Sequence, residues 1–335
     1  MAAVPVTDPF RAAEDPALPG VAAALDAPAM ARRLRECMPG ASELLAVRLT
    51  RHKPGKRCVI EYDLAAAGPG NVTRIETLIG KIRAGHRPDS AYRLLERFWR
   101  AGFSADSADG ICVPEPVACL DDLGMWLQRK VAGRPLAQLL AQATPLLMEK
   151  VAEAAHKVHG AGVPPKRRHA MADELRILHE RLPGVAAQRP EWDGRIRRLL
   201  AACDRLGAGV PEPVPTGIHR DFYPDQVIVD GERLCLIDFD LYCAGDVGVD
   251  IGNFIAHITE QALRETGDAG AWRHLEEALR SRFIALAGAR AAAAVDAYAI
   301  LTLVRHIHLS TLFADRRRLT PVLLEMCEAR LAPWS

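Results

Sequence analysis

The hydrophobic period of this chain changes once, near Pro135. Before it, apolar and polar residues alternate over short runs bounded by Pro, Gly and Asp, which is the pattern of strands. Leu44 to Thr50, Cys58 to Leu64, Val72 to Ile82, Pro116 to Leu120 and Met125 to Val131 read this way. One helix interrupts them, capped by Asp89 or Ser90 and running to about Ala101, with Leu94, Leu95, Phe98 and Trp99 on its apolar stripe. Beyond Pro135 the spacing is that of amphipathic helices, near 136–142, 145–160, 171–182, 191–206, 247–265, 271–288, 291–314 and 320–331. Two short β runs, Val227 to Val229 and Leu234 to Ile237, flank the turn Asp230-Gly231. The expectation is an α+β, bilobal architecture joined near residues 129–135. A small five-stranded antiparallel β-sheet lobe with one helix (28–130) precedes a larger, mainly helical lobe (131–335). Residues 1–27, rich in Ala, Pro and Asp, read as a mobile leader. Pro28 to Met38 reads as a short helix closed by Pro39-Gly40.

Charge and cysteine usage exclude several classes. There are 43 basic and 42 acidic residues, a net charge of +1, so no global field attracts nucleic acid or an anionic membrane. Eight cysteines are scattered without a C-x-x-C pair, which reads as free thiols in a reducing compartment. No run reaches the roughly 18 to 20 apolar residues of a spanning helix, and the N-terminus lacks the basic flank of a signal peptide. A cytoplasmic protein without membrane or nucleic-acid partners is expected. Only seven of the basic residues are lysines, so each lysine draws attention.

The chemistry concentrates in His219-Arg220-Asp221-Phe222-Tyr223-Pro224-Asp225-Gln226, followed by Leu236-Ile237-Asp238-Phe239-Asp240. An H-R-D loop, then a strand-turn-strand, then an Asp-Phe pair, puts two carboxylates at the ends of short β segments. Gly245-Asp246-Val247-Gly248-Val249-Asp250 follows and opens a helix. Together these residues resemble the aminoglycoside phosphotransferase family (the phosphotransferase enzyme family) of the protein-kinase-like fold. The resemblance spans roughly residues 40 to 330 and is strongest over 217–254.

That resemblance implies an ATP-dependent (alternatively GTP-dependent) kinase that moves the γ-phosphoryl group to a hydroxyl of a small molecule, such as an amino sugar, sugar or amino alcohol. Asp221 would be the catalytic base and Asp238 would hold Mg²⁺, which prefers hard oxygen ligands. His219, Asp246 and Asp250 would brace the catalytic loop. The family carries Asn where this chain has Gln226, whose amide oxygen lies one methylene, about 1.5 Å, further out. Gln226 is therefore either a second metal ligand or the lesion of a nucleotide-binding pseudokinase or scaffold. Lys81, on a strand flanked by apolar residues, would contact phosphates and pair with Glu96 on the next helix. Gly55 and Lys56, at the tip of the first hairpin, stand where backbone amides and cations cover phosphates. Arg129 and Val131 lie in the segment expected to meet the nucleotide base through main-chain groups. Arg305 and His306, in the late helices that form the family's acceptor pocket, are the acceptor candidates. A protein substrate is disfavoured, because the interval from Asp238 to Asp246 leaves no room for a long activation loop. Nothing in the sequence fixes the oligomeric state.

Overall fold

The computed structural model describes residues 3–38, 41–67 and 73–334. Pro39-Gly40 and Val72, which mark expected element ends, lie outside the described residues. The chain divides into two compact units, Met1–Gly133 with Asp230–Ile237, and Arg134–Val229 with Asp238–Ser335. Residues 131–133 and 230–237, expected with the helical lobe, thus belong to the first unit.

The first unit is built on a six-stranded sheet rather than five, in the order β1-β2-β3-β4-β7-β6. The strands are β1 (Val6–Thr7), β2 (Ala41–Lys53), β3 (Arg57–Ala67), β4 (Thr73–Arg83), β6 (Pro116–Leu120) and β7 (Met125–Arg129). The extra strand comes from the segment expected to be mobile, and β1 pairs parallel with β2 while the other pairs are antiparallel. The segment also supplies the short helix α1 (Gly20–Ala24), which precedes α2 (Ala27–Cys37). Leu18, Val21 and Ala24 are buried with Met30 and Leu34 of α2 against Val47, Ile60, Tyr62 and Leu78 of the sheet. Burial of each such branched side chain contributes about 1.5–3 kcal/mol, enough to order so short a segment. The Tyr62 hydroxyl donates to the Ala24 carbonyl at 2.8 Å, and Asp26 caps α2 by accepting from the Ala29 amide at 2.9 Å. Helix α3 (Pro88–Arg100) buries Leu95 and Phe98, and the parallel pair β5 (Ile111–Cys112) and β11 (Arg233–Leu236) completes the unit.

The second unit is mainly helical: α4 (Pro145–His159), α5 (Met171–Gln188), α6 (Asp193–Ala208), α7 (Gly248–Thr266), α8 (Arg273–Ala287), α9 (Ala291–Leu312) and α10 (Thr320–Leu331). Residues 136–142, expected as a helix, form two 3-10 turns, Leu136–Gln138 and Leu140–Gln142. Helix α5 continues past Pro183, because Leu182, Val185 and Ala186 hold its next turn in the core. Two small antiparallel pairs carry the functional loops: β9 (Thr216–Ile218) with β12 (Cys243–Gly245), and β8 (Arg134–Pro135) with β10 (Val227–Asp230). Helix α7 lies buried along most of its length and packs on α9 at two glycines. A Cβ on Gly248 would meet the Ala294 side chain at 2.7 Å, and one on Gly252 would meet the Ala299 amide nitrogen at 2.6 Å. The backbone approach that places α9 beside α7 therefore requires both glycines.

Gly20 makes a comparable contact, since a Cβ there would stand 2.0 Å from the Leu123 carbonyl oxygen. Gly20→Ala should therefore displace α1 and cost about 1–3 kcal/mol of stability. Urea denaturation is the check, with proteolytic cleavage in residues 3–27 of the variant as the local readout.

Candidate active site

The catalytic-loop residues belong to the helical unit, and one carboxylate fixes them. Asp250, on the first turn of α7 and fully buried, accepts the His219 amide at 2.9 Å on Oδ2 and the Arg220 amide at 2.6 Å on Oδ1. His159 Nε2, at the end of α4, lies 2.8 Å from the same Oδ2. Those two amides precede Asp221 and hold Arg220 in the left-handed region at φ 69°. Such a conformation costs a non-glycine residue about 1–2 kcal/mol and persists only where neighbouring groups impose it. Asp238 has the same conformation at φ 64°, as the residue before the 3-10 turn Phe239–Leu241. The buried His219 ring packs between Phe222 and Phe239, with centroids at 5.7 and 4.6 Å.

Asp246 does not brace the loop directly, as the sequence suggested. Its Oδ1 accepts the Gly248 amide at 2.8 Å and so satisfies the open N-terminus of α7. Asn253, one turn beyond Asp250, supplies the second brace: its Nδ2 donates to the Phe222 carbonyl at 2.8 Å. Its Oδ1 accepts Arg305 Nη2 at 2.7 Å. Arg305 Nη1 reaches Glu174 Oε2 at 3.2 Å, and Glu174 Oε1 meets His169 Nε2 at 2.6 Å. Arg305, expected to contact the acceptor, is thus tied into the loop's support while still lining a cavity. His306 does not line that cavity. It is buried, with its ring edge-on to His257 at 4.6 Å, and burial followed by the charges of Arg305, Arg316 and Arg264 lowers its pKa to about 3.

The cavity has a volume of about 380 Å³ and is bordered by Asp221, Tyr223, Arg220, Arg305 and the α7 residues His257 and Glu260. Burial raises the pKa of Asp221, and the nearby charge of Asp238 adds to that rise against His219, Arg305 and Arg220. Asp221 is thereby made a stronger base than an exposed carboxylate. Tyr223 stacks on His257 with centroids 4.5 Å apart. Gln226 is buried, and burial pushes the Tyr223 hydroxyl pKa up to about 12.

The candidates of the first unit lie apart along its sheet. Lys81, on β4, holds its ammonium 4.9 Å from the Trp126 ring centroid. Its expected partner Glu96 is bound instead by Arg100 at 2.7 Å, one turn along α3. Arg100 wins because an i,i+4 pair forms without a tertiary constraint, and Arg93 faces Asp89 in the same way. Gly55 has φ 67° at the β2–β3 turn, and its amide donates to Asp15 Oδ2 at 2.8 Å, so that amide is already committed. Lys56 is exposed beside it. The Arg129 side chain is held by Glu115, at 2.7 Å, and by Glu76, while Val131 is half-buried. Sequence reasoning missed Asn253, although it sits three residues after Asp250 on the same helical face. It also missed His159, His169 and Glu174, which no motif marks.

A half-buried carboxylate of raised pKa on a loop clamped by a helix-borne carboxylate, with a second acid before a 3-10 turn, is the arrangement expected of a phosphotransferase of protein-kinase-like fold. Residues 85–293 match the phosphotransferase enzyme family, and the chain belongs to that family. It is an enzyme of the small-molecule kinase type. Among solved structures, aminoglycoside phosphotransferase APH(4)-Ia is similar at 16% identity and TM-score 0.55, over 90% of this chain and 97% of that one. A choline kinase from Cryptosporidium parvum Iowa II is similar at 11% identity and TM-score 0.56, over 92% and 94%. A choline/ethanolamine kinase family protein from Mesorhizobium loti gives 15% and 0.52, over 91% and 98%. No match was found among curated protein sequences.

Asp250→Asn replaces one accepting oxygen with a donor that faces an amide or His159. It should lower stability by about 3–5 kcal/mol, as removal of a buried charged partner does. Chemical denaturation checks this. In the fraction that stays folded, kcat should fall more than the acceptor KM rises, because the group displaced is Asp221 on the clamped loop.

Proposed function

We propose that this enzyme transfers the γ-phosphoryl group of a nucleoside triphosphate, ATP or GTP, to a hydroxyl of a small molecule, with Asp221 as general base. The observation that carries this reading is the position of Asp221: half-buried, raised in basicity, and at the wall of a cavity large enough for a small acceptor. The acceptor oxygen attacks the γ-phosphorus, the bond to the β–γ bridging oxygen breaks, and the hydroxyl proton passes to an Asp221 oxygen. Clamping by Asp250 and Asn253 holds that oxygen in place before substrate arrives, which is where most of the rate gain in such transfers originates.

The donor set near Asp221 fits a magnesium ion. Asp238 offers a carboxylate, its charge adds to the rise in the Asp221 pKa, and a cation would relieve that repulsion. Gln226, buried and five residues after Asp221, is the second candidate ligand through its amide oxygen. Magnesium, when bound there, neutralises charge on the transferring phosphates. Lys81 is proposed as a phosphate-contacting cation and Arg129 with Val131 as a segment that meets the nucleotide base. Two structures of similar fold support the nucleotide assignment: one of APH(4)-Ia in a ternary complex with AMP-PNP and hygromycin B, and one of APH(2")-IIia with GDP and kanamycin.

Asp221→Asn tests the base. Phosphoryl transfer should fall roughly 10²- to 10⁴-fold while nucleotide affinity stays unchanged. The sign of the stability change is opposite. Because the folded pKa of Asp221 is raised above 3.8, its contribution to stability is complete below that value and is lost as pH rises through the folded pKa. Removing the charge should therefore raise the melting temperature at pH 7. In the wild type, kcat/KM should decline as pH falls through a pKa above 3.8. Unchanged turnover in Asp221→Asn would remove this residue from the mechanism. Nucleotide binding indifferent to Mg²⁺, without turnover, would instead favour the pseudokinase.

A further inference from the structure

The cavity beside Asp221 is lined by four guanidinium groups, and three of them lack a hydrogen-bonded carboxylate. Arg305 is committed to Glu174 and Asn253. Arg220 has no carboxylate within ion-pairing distance among the described residues. Arg264 Nε is buried without a hydrogen-bond partner, 3.6 Å from Glu260 Oε1, and its Nη1 is 3.8 Å from Glu265. Glu265 accepts from Gln261 Nε2 at 2.7 Å instead. Arg316 Nη1 stands 3.8 Å from the same Glu260 oxygen, with its guanidinium 5.0 Å from the Phe313 ring centroid. These separations exceed hydrogen-bonding distance, so the guanidinium N–H groups are left for a ligand.

The acids of the cavity do not reverse its character. Both Glu174 oxygens are engaged, by His169 and Arg305, and Glu260 is shared by two guanidinium groups. Asp221 is kept for the reacting hydroxyl, and Asp225 is exposed. Two histidines stand against this wall. The His257 pKa is lowered by burial, then by His306 and the charges of Arg305, Arg316 and Arg264, and that of His306 by burial and the same arginines, so both imidazoles are neutral near pH 7 and add no positive charge.

We propose that the acceptor carries an anionic group, a carboxylate or a phosphate, seated among Arg220, Arg264 and Arg316 while its hydroxyl meets Asp221. The planar guanidinium fork matches the paired oxygens of either anion. An ammonium group, as in an amino sugar or amino alcohol, would face these guanidinium groups, with only the exposed Asp225 and Glu260, itself flanked by Arg264 and Arg316, as further acids. This assignment rests on the reading of Asp221 as the base, and the two can fail separately.

Isothermal titration tests it with four probes: glycerate, glycerol 3-phosphate, glycerol and choline. ADP is kept saturating so that the nucleotide's own phosphate contacts are occupied. Glycerate or glycerol 3-phosphate should bind more tightly than glycerol and choline, and the preferred one identifies carboxylate or phosphate. Arg264→Met and Arg316→Met should each weaken that binding roughly tenfold or more, as loss of a charge-assisted hydrogen bond does, with ADP affinity and melting temperature unchanged. Choline binding more tightly than both anions would overturn the proposal. So would anions no better than glycerol, or anion affinity untouched in both arginine variants. Acceptor-independent ATP hydrolysis, measured separately, reads the base: its survival in Asp221→Asn would sink that reading while leaving the anion preference standing.

Discussion

The site depends on the Asp250 carboxylate holding two consecutive amides of the loop that carries Asp221. A buried carboxylate without partners would be driven to its neutral form. Here two N–H donors and the His159 ring surround it, so both oxygens are partnered at the foot of α7. Those bonds let Arg220 hold a left-handed backbone, and this backbone directs Asp221 to the cavity wall. Asn253 ties down the other side of the loop through the Phe222 carbonyl. Both braces come from a single helix, one turn apart, and α7 is itself held against α9 by contacts that only glycine allows at 248 and 252. Placement of Asp221 is therefore a property of helix packing rather than of the loop.

Much of this was legible because the informative residues are close in sequence. The H-R-D loop, the Asp-Phe pair and the Gly-Asp run each lie within a few residues, and their spacing is preserved by local backbone geometry. The periods of β3, β4, β6 and β7 were readable for the same reason, since a half-buried strand writes its face into alternate residues. Tertiary partners were not. The first 27 residues have few large apolar side chains, and only the face supplied by Val47, Ile60 and Tyr62 makes burying Leu18 and Val21 worthwhile.

Pairing of side chains followed proximity on one helix where residue order left the choice open. Glu96 went to Arg100, a turn away, rather than across to Lys81. Helix α9 is apolar around nearly its whole circumference, so its period could not say which way Arg305 and His306 point. In the structure Arg305 borders the cavity, while its neighbour turns inward onto His257. The near-zero net charge hid a similar local imbalance. A chain balanced overall still places four arginines around one cavity and leaves most of them without a short carboxylate contact.

The segment before β2 is tied to the sheet-bearing unit by contacts of unequal reach. Val6 pairs with Val47, Asp15 accepts the Gly55 amide, Gly20 presses on Leu123 and Arg33 reaches Asp122 at 2.6 Å. The first two partners follow α2 within about 18 residues, whereas the last two lie about 85 residues beyond it, and loop closure over the longer span is slower. The Gly20 and Arg33 contacts consequently act as a latch that closes after β2 and β3 can pair. A bulky group placed beside α1 would hinder that closing rather than the carboxylates of the helical unit.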